Sequence, residues 1–335
     1  MPESRDGHVV LTADVGGTWA RFALACDGRL LQPPQRLERA RFPDLASACR
    51  HHLGGTSGAP RIDGAAIAAA GRVEGGRIAM TNADWSVDPQ ALAGELGLRP
   101  SRIRVLNDFA ALAWVLPELG PDERVAAPGG AHALAHGAPP PGDPLGNRVV
   151  VGPGSGLGVA ALLRVGDRWH PLATEGGHAS VAVRTPSEHA ALELAASRFG
   201  RVSWERLLSG PGLALLHESA CAEAGLPPAG LDAAGVVEAC GRGDPLALRA
   251  ARNFVALLGE FAGDLALLYD ATGGVTIAGG VLPSLAAVLP LDALRARFED
   301  KGRFAAWLAT VPVDVLASPF AALRGAAIAY RASSS

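Results

Sequence analysis

The chain of 335 residues contains a single lysine, Lys301, among its 30 basic side chains. That scarcity excludes two common nucleotide machines. A Walker-type loop needs lysine directly after its last glycine, and a protein kinase needs a strand lysine on the phosphates. Any grip on phosphate must be built from backbone N–H groups, hydroxyls, magnesium or arginine. Cysteine is also scarce, and Cys26, Cys49, Cys221 and Cys240 form no C-x-x-C pair, which argues against a zinc site. The net charge of −3 gives no basic field for nucleic acid. No apolar stretch reaches membrane-spanning length without charge or glycine, and residues 1–10 carry no apolar run of signal length. Unpaired cysteines without an export signal lead to the expectation of a cytoplasmic protein with no membrane partner.

Apolar residues make up 49% of the chain, ample for burial, and the length makes two domains the default. Val9–Val15 and Arg148–Val151 are apolar runs that enter glycine turns, Gly16-Gly17-Thr18 and Gly152-Pro153-Gly154-Ser155-Gly156. Each is followed by a second apolar run, Phe22–Ala25 and Val159–Leu163, so each reads as a β-hairpin with a bare tip. Such a tip lets backbone N–H groups approach a phosphate closely. Two of them, about half the chain apart, suggest two matching half-domains facing one nucleotide, with Asp14 placed to reach a hydrated Mg²⁺ on its phosphates.

Between and beyond the hairpins, strands alternate with helices, the pattern of an α/β fold. Helices are expected over 42–53 (stopped by Gly54-Gly55), 90–96, 109–116, 187–199 (capped by Ser187), 247–269 and 323–330. Strands are expected over 65–70, 103–106 and 149–151, and a strand, turn and helix start over 274–282. Asn107 and Asp108 then stand at the C-terminal end of a strand, where open α/β sheets bind ligands. Residues 126–147, rich in Gly, Pro and Ala, read as a loop without chemistry.

Four further segments carry polar residues: Asn107-Asp108, Glu175-Gly176-Gly177-His178, Glu205 through Gly212, and Ile277-Ala278-Gly279-Gly280. With the two hairpins, with Met80-Thr81-Asn82 and Trp85, and with Phe298 through Phe304, they resemble the bacterial hexokinase-type glucokinase family within the actin-like sugar-kinase ATPases. The resemblance spans residues 9–330. It implies a two-domain α/β, actin-like (ribonuclease H-like) fold with a cleft between a small domain (8–119 plus 321–331) and a large one (120–320), closing on the sugar to exclude water. It implies Mg-ATP-dependent phosphorylation of D-glucose at the 6-hydroxyl, ATP and Mg²⁺ as cofactors, and a homodimer.

Position by position, it implies that Asp14, Gly16, Gly17 and Thr18 form the first phosphate loop and Gly154, Ser155 and Gly156 the second. Gly279 and Gly280 pack against the adenosine, and Asp14 meets the magnesium through water. Asn107, Asp108, Glu175, His178 and Glu205 form the sugar-binding set, with Asp108 as general base. The chemistry agrees, because sugar hydroxyls donate and accept in pairs and a primary alcohol needs a carboxylate in reach to lose its proton.

On residues alone, several readings stay open. Asp108 also reads as a helix cap, Glu205-Arg206 as an exposed ion pair, and Phe298–Phe304 as a salt-bridged surface loop. Trp19 stands where the family often has asparagine, Pro153 and Ser155 replace alanine and threonine, and Ser180 replaces an acidic residue. The alternatives in function are a related hexose or amino-sugar kinase, or a non-catalytic sugar sensor. Asp14 and Asp108 argue for catalysis.

Overall fold

Val9–Val15 runs into a glycine pair, and there the chain reverses. In the computed structural model, which describes residues 7–55, 61–80, 85–127 and 142–334, this is a hairpin of β1 (Val9–Val15) and β2 (Trp19–Cys26). Thr81, Asn82 and residues 128–141 of the glycine- and proline-rich loop lie outside the described residues. The chain divides into two compact units, one reaching Glu118 and resuming at Ser318, the other spanning Leu119–Ala317.

The first unit continues through β3 (Arg29–Leu30), β4 (Gln35–Glu38), α1 (Leu45–Gly55), β5 (Gly64–Ala69), β6 (Ile78–Ala79), β7 (Ser86–Val87), α2 (Pro89–Leu96), β8 (Ile103–Asn107) and α3 (Asp108–Val115). Its main sheet has the order β3-β2-β1-β5-β8, with β4 on β2. β1, β5 and β8 are parallel. Every residue of β5 is buried and apolar or small, as a strand covered on both faces requires. Parallel register aligns Val15 with Ala69 and Ala69 with Asn107. The first glycine tip and Asp108 therefore leave the same edge of the sheet, two strand spacings (about 10 Å) apart.

Helix α1 begins at Leu45 and not at residue 42. Asp44 explains this, since its Oδ1 accepts the Ser47 N–H at 2.7 Å, so the chain turns into the helix only after Pro43. Gly54 and Gly55 belong to the helix instead of ending it. In α2, Asp88 accepts the Gln90 N–H, Pro89 takes the first position and Gly97 closes the end with φ 63°, the usual asymmetry of helix ends.

The second unit holds β9 (Arg124–Ala126), β10 (Arg148–Pro153), β11 (Leu157–Val165), β12 (Arg168–Thr174), α4 (Pro186–Phe199), α5 (Trp204–Leu207), α6 (Gly210–Glu223), α7 (Ala233–Gly241), α8 (Pro245–Tyr269), β13 (Gly274–Ile277), α9 (Val281–Ala286), α10 (Asp292–Glu299), α11 (Ala305–Leu308) and β14 (Val313–Leu316). Its sheet has the order β12-β11-β10-β13-β14-β9. Apart from β9 here and β4 there, this repeats the first sheet. A hairpin with a third antiparallel strand is followed on its other side by two parallel strands. The final helix, α12 (Ala321–Ser334), returns to the first unit and packs on α3, β1 and β5.

The cap of α4 is Thr185, not Ser187. Thr185 Oγ1 accepts the Glu188 N–H while Glu188 Oε2 accepts the Thr185 N–H, each at 3.2 Å, a reciprocal capping box. The start of the Phe298–Phe304 segment also departs from a surface loop. Phe298 is fully buried and the Lys301 side chain is 8% exposed, while Asp300, Gly302, Arg303 and Phe304 face solvent. Lys301 Nζ donates to Glu260 Oε1 at 2.5 Å and to Asp264 Oδ1 at 2.6 Å. Arg184 and Arg297 each reach Glu260 Oε2 at 2.9 Å, and Arg297 also holds Glu188 at 2.9 Å. Burial alone pushes the Glu260 carboxyl up, but donors from Lys301, Arg184 and Arg297 together hold it below the ordinary value.

Candidate active site

In the first unit, the β1–β2 register sets Asp14 opposite Arg21, and the two pair at 2.8 Å. Burial pushes the Asp14 carboxyl up, and the Arg21 guanidinium offsets this only in part. The tip closes on itself through a Gly16 N–H to Trp19 carbonyl bond of 2.9 Å. A Cβ added at Gly17 meets nothing within 4 Å, so packing within the protein does not demand glycine there. Trp19 lies at the start of β2 with the Arg36 guanidinium stacked 3.8 Å from its ring.

Two strands away, Asn107 is the helix cap and Asp108 is the first residue of α3. Asn107 Oδ1 accepts the N–H groups of Phe109 at 2.9 Å and Ala110 at 3.1 Å. Its Nδ2 donates to the Gly71 carbonyl at 3.0 Å. One Asp108 oxygen accepts the Phe109 N–H at 2.9 Å. Capping, which the sequence left open for Asp108, is done by its neighbour, and Asn107 is thereby tied into the end of β8.

In the second unit, the second tip lies beside the end of β13, with the Ala278 N–H on the Val151 carbonyl at 2.8 Å. Gly279 adopts φ 84°, and a Cβ there would lie 2.3 Å from the Pro153 carbonyl oxygen. Gly154 and Gly280 are open, with nothing within 4 Å of an added Cβ. Ser155 is exposed.

Glu205 is not an exposed ion-pair partner of Arg206, whose guanidinium stacks 4.0 Å from the Phe199 ring. Glu205 Oε2 accepts the Leu157 N–H at 2.9 Å across 48 residues of sequence. A Cβ at Gly156 would sit 2.5 Å from that same oxygen, so the glycine makes room for the carboxylate. Glu205 Oε1 lies 3.9 Å from His178 Nδ1. His178 ends a single turn, Gly176–His178, in which its N–H bonds the Glu175 carbonyl at 2.9 Å. The turn backs onto the second tip, because a Cβ at Gly177 would meet the Leu157 carbonyl oxygen at 2.2 Å. The Glu175 and His178 side chains are exposed, and Arg201 donates to the His178 carbonyl at 2.8 Å.

The structure therefore brings His178, Glu205 and the second tip together in one unit, and Asp14, Asn107, Asp108 and the first tip at one sheet edge in the other. Sequence reasoning missed Arg21, although counting back from the hairpin tip pairs it with Asp14. It also missed the Glu205–Leu157 bond, for which the sequence carries no local signal. Among the described residues, no three His, Cys, Asp or Glu side chains gather as a metal cage.

The glucokinase family model matches residues 11–333. A glucokinase from Chromobacterium violaceum is 44% identical over 322 residues, covering 95% of this chain and 88% of its own. The crystal structure of a glucokinase from an Antarctic psychrotroph superposes with a TM-score of 0.84 at 31% identity, covering 96% of this chain and 98% of that one. A ROK family glucokinase from Streptomyces griseus, solved with glucose and AMPPNP, shares the fold at a TM-score of 0.64 and 21% identity, over 96% of this chain and 99% of that one.

Proposed function

The chain belongs to the glucokinase family and phosphorylates glucose with ATP; from that premise we propose that Asp108 is the general base that takes the proton of the 6-hydroxyl. The observation that carries this reading is the register Val15–Ala69–Asn107, which puts Asp108 on the same sheet edge as the first glycine tip. Asn107 supports it by pinning the start of α3 through both ends of its amide. A carboxylate acting as base must be held within hydrogen-bond reach of the hydroxyl, and a rigid cap beside it limits its wandering.

The remaining residues divide the work by chemistry. Glu175, His178 and Glu205, with Asn107, offer acceptors and donors to the sugar hydroxyls. Gly16, Gly17 and Thr18 on one tip, and Gly154, Ser155 and Gly156 on the other, offer N–H groups and hydroxyls to the phosphates. Gly279 and Gly280 leave space against the adenosine. The donor set suits Mg²⁺ carried by the nucleotide, since that ion keeps several waters and takes only one or two protein carboxylates beside the phosphates. Asp14, half-buried and with its raised carboxyl only partly offset by Arg21, is the carboxylate that would meet it. When bound, the ion neutralises charge on the transferred phosphoryl group. The proposed setting is cytoplasmic, in keeping with four free cysteines, and the proposed assembly is a homodimer, to be read as twice the chain mass by light scattering.

The test is ADP release with Mg·ATP and glucose, with mannose, fructose and N-acetylglucosamine in parallel. Turnover on glucose far above the others is expected. Asp108→Asn should lower kcat by about 10³-fold with the glucose KM changed only a few-fold. Near-normal turnover of that variant would remove Asp108 from the role of base. Glucose binding without turnover in the unaltered protein would favour a sensor.

A further inference from the structure

We infer that Arg39 is a positioning residue for the nucleotide phosphates, holding the first glycine tip with its carbonyls occupied and its N–H groups available. The inference rests on the reading of that tip as a phosphate loop. β4 pairs with β2 so that Glu38 lies opposite Trp19, which brings the next residue, Arg39, against the tip. Arg39 Nη1 donates to the Gly17 carbonyl at 2.6 Å, and its own backbone N–H donates to the Thr18 carbonyl at 3.0 Å. Gly16 spends its N–H on Trp19. Among the described residues, the N–H groups of Gly17 and Thr18 have no hydrogen-bond partner.

Carbonyl oxygens repel phosphate oxygens, and amide N–H groups attract them. A tip whose carbonyls are taken by one residue is therefore biased toward anions before any arrive. The guanidinium also places a positive charge beside the tip. Of the other cations near this hairpin, Arg21 is already paired with Asp14 and Arg36 is stacked on the Trp19 ring, and Lys301, the only lysine, is committed to Glu260 and Asp264 in the other unit. Trp85, 5% exposed, holds the Arg39 guanidinium over its ring at 5.2 Å, fixing the fork that reaches Gly17.

The test compares inhibition by ADP with inhibition by adenosine, which shares the base and ribose and lacks phosphate. In Arg39→Ala, the ADP inhibition constant and the ATP KM should rise on the order of tenfold. The adenosine constant, the glucose KM and the melting temperature should hold. Arg39→Lys should fall between, keeping charge without the fork, and millimolar guanidinium added to Arg39→Ala should recover part of the ATP affinity. Equal losses for ADP and adenosine, with a lowered melting temperature, would make Arg39 merely structural and overturn the inference. So would unchanged ADP inhibition in Arg39→Ala while Gly17→Val weakens it, which leaves the tip as phosphate loop and removes Arg39. Unchanged ADP inhibition in both variants would overturn the phosphate-loop reading itself.

Discussion

The two units repeat one sheet plan, yet their glycine tips are braced by opposite charges. In the first, Arg39 takes the Gly17 carbonyl with its guanidinium and the Thr18 carbonyl with its backbone N–H. In the second, a carboxylate takes the N–H of Leu157, on the far side of the tip from Gly154. The carboxylates differ too, one half-buried and one buried. Asp14 has one cation and is pushed up, whereas Glu260 has three and is held down. A duplicated backbone thus supplies tips and strand ends, while the side chains added to each copy set its chemistry. The anionic brace suits the sugar-binding role proposed for Glu205, whose other oxygen faces His178. The cationic one suits the phosphate role proposed for the first tip.

The largest effect is expected where the contrast is purely structural. Glu260→Gln should cost about 3–5 kcal/mol of unfolding free energy, because it leaves Lys301 and Arg297 under-paired in a nearly dry site, as urea unfolding would measure. The loss should shrink in acid, since the stability Glu260 supplies is present above the ordinary glutamate value and fades as pH falls through its lowered one.

Next come the glycines. Gly279→Ala should cost roughly 2–4 kcal/mol, from the left-handed φ and the clash with Pro153. Gly280→Ala and Gly154→Ala should stay within about 0.5 kcal/mol while raising the ATP KM. Equal stability losses at all three would erase the distinction between glycines the fold needs and glycines a ligand needs.

Glu205→Gln should weaken glucose binding by about tenfold and ATP binding by a smaller factor, because the same side chain braces the second tip. A glucose effect with no change for ATP would break the link between the two.

The smallest effect separates Asp14 from Glu260 by sign. A carboxylate raised by burial penalises folding as it ionises. The penalty is absent below the ordinary aspartate value, grows as pH rises through the raised value, and is full above it. Asp14→Asn should therefore match the parent in stability at pH 4 and equal or exceed it by up to about 1 kcal/mol at pH 8, while losing turnover. A stability deficit that grows toward pH 8 would show that the Arg21 pair outweighs burial.

Local signals in the sequence carried much of this. Apolar runs broken by glycine located both hairpins, and the strand ending at Asn107 followed from its apolar pattern and the helix after it. What escaped the sequence depended on partners far along the chain. Glu205 is tied to a loop 48 residues away, and Lys301 to residues 41 and 37 positions back. Neither leaves a trace in local periodicity. The errors at helix ends had a different cause. Asn107 and Asp108 are adjacent residues both able to cap, and the backbone angles decide between them; Thr185 outcompetes Ser187 because Glu188 completes a capping box with it and Pro186 takes the first helical position.

With Lys301 8% exposed and clasped by Glu260 and Asp264, the chain offers acylation chemistry one ε-amine, and that amine is shut away. Acetyl transfer, a common reversible mark on lysine, can reach it only when the ion cluster has come apart. An acetyl group found on Lys301 would thus record a molecule that had opened, and would not act as a control on a working one.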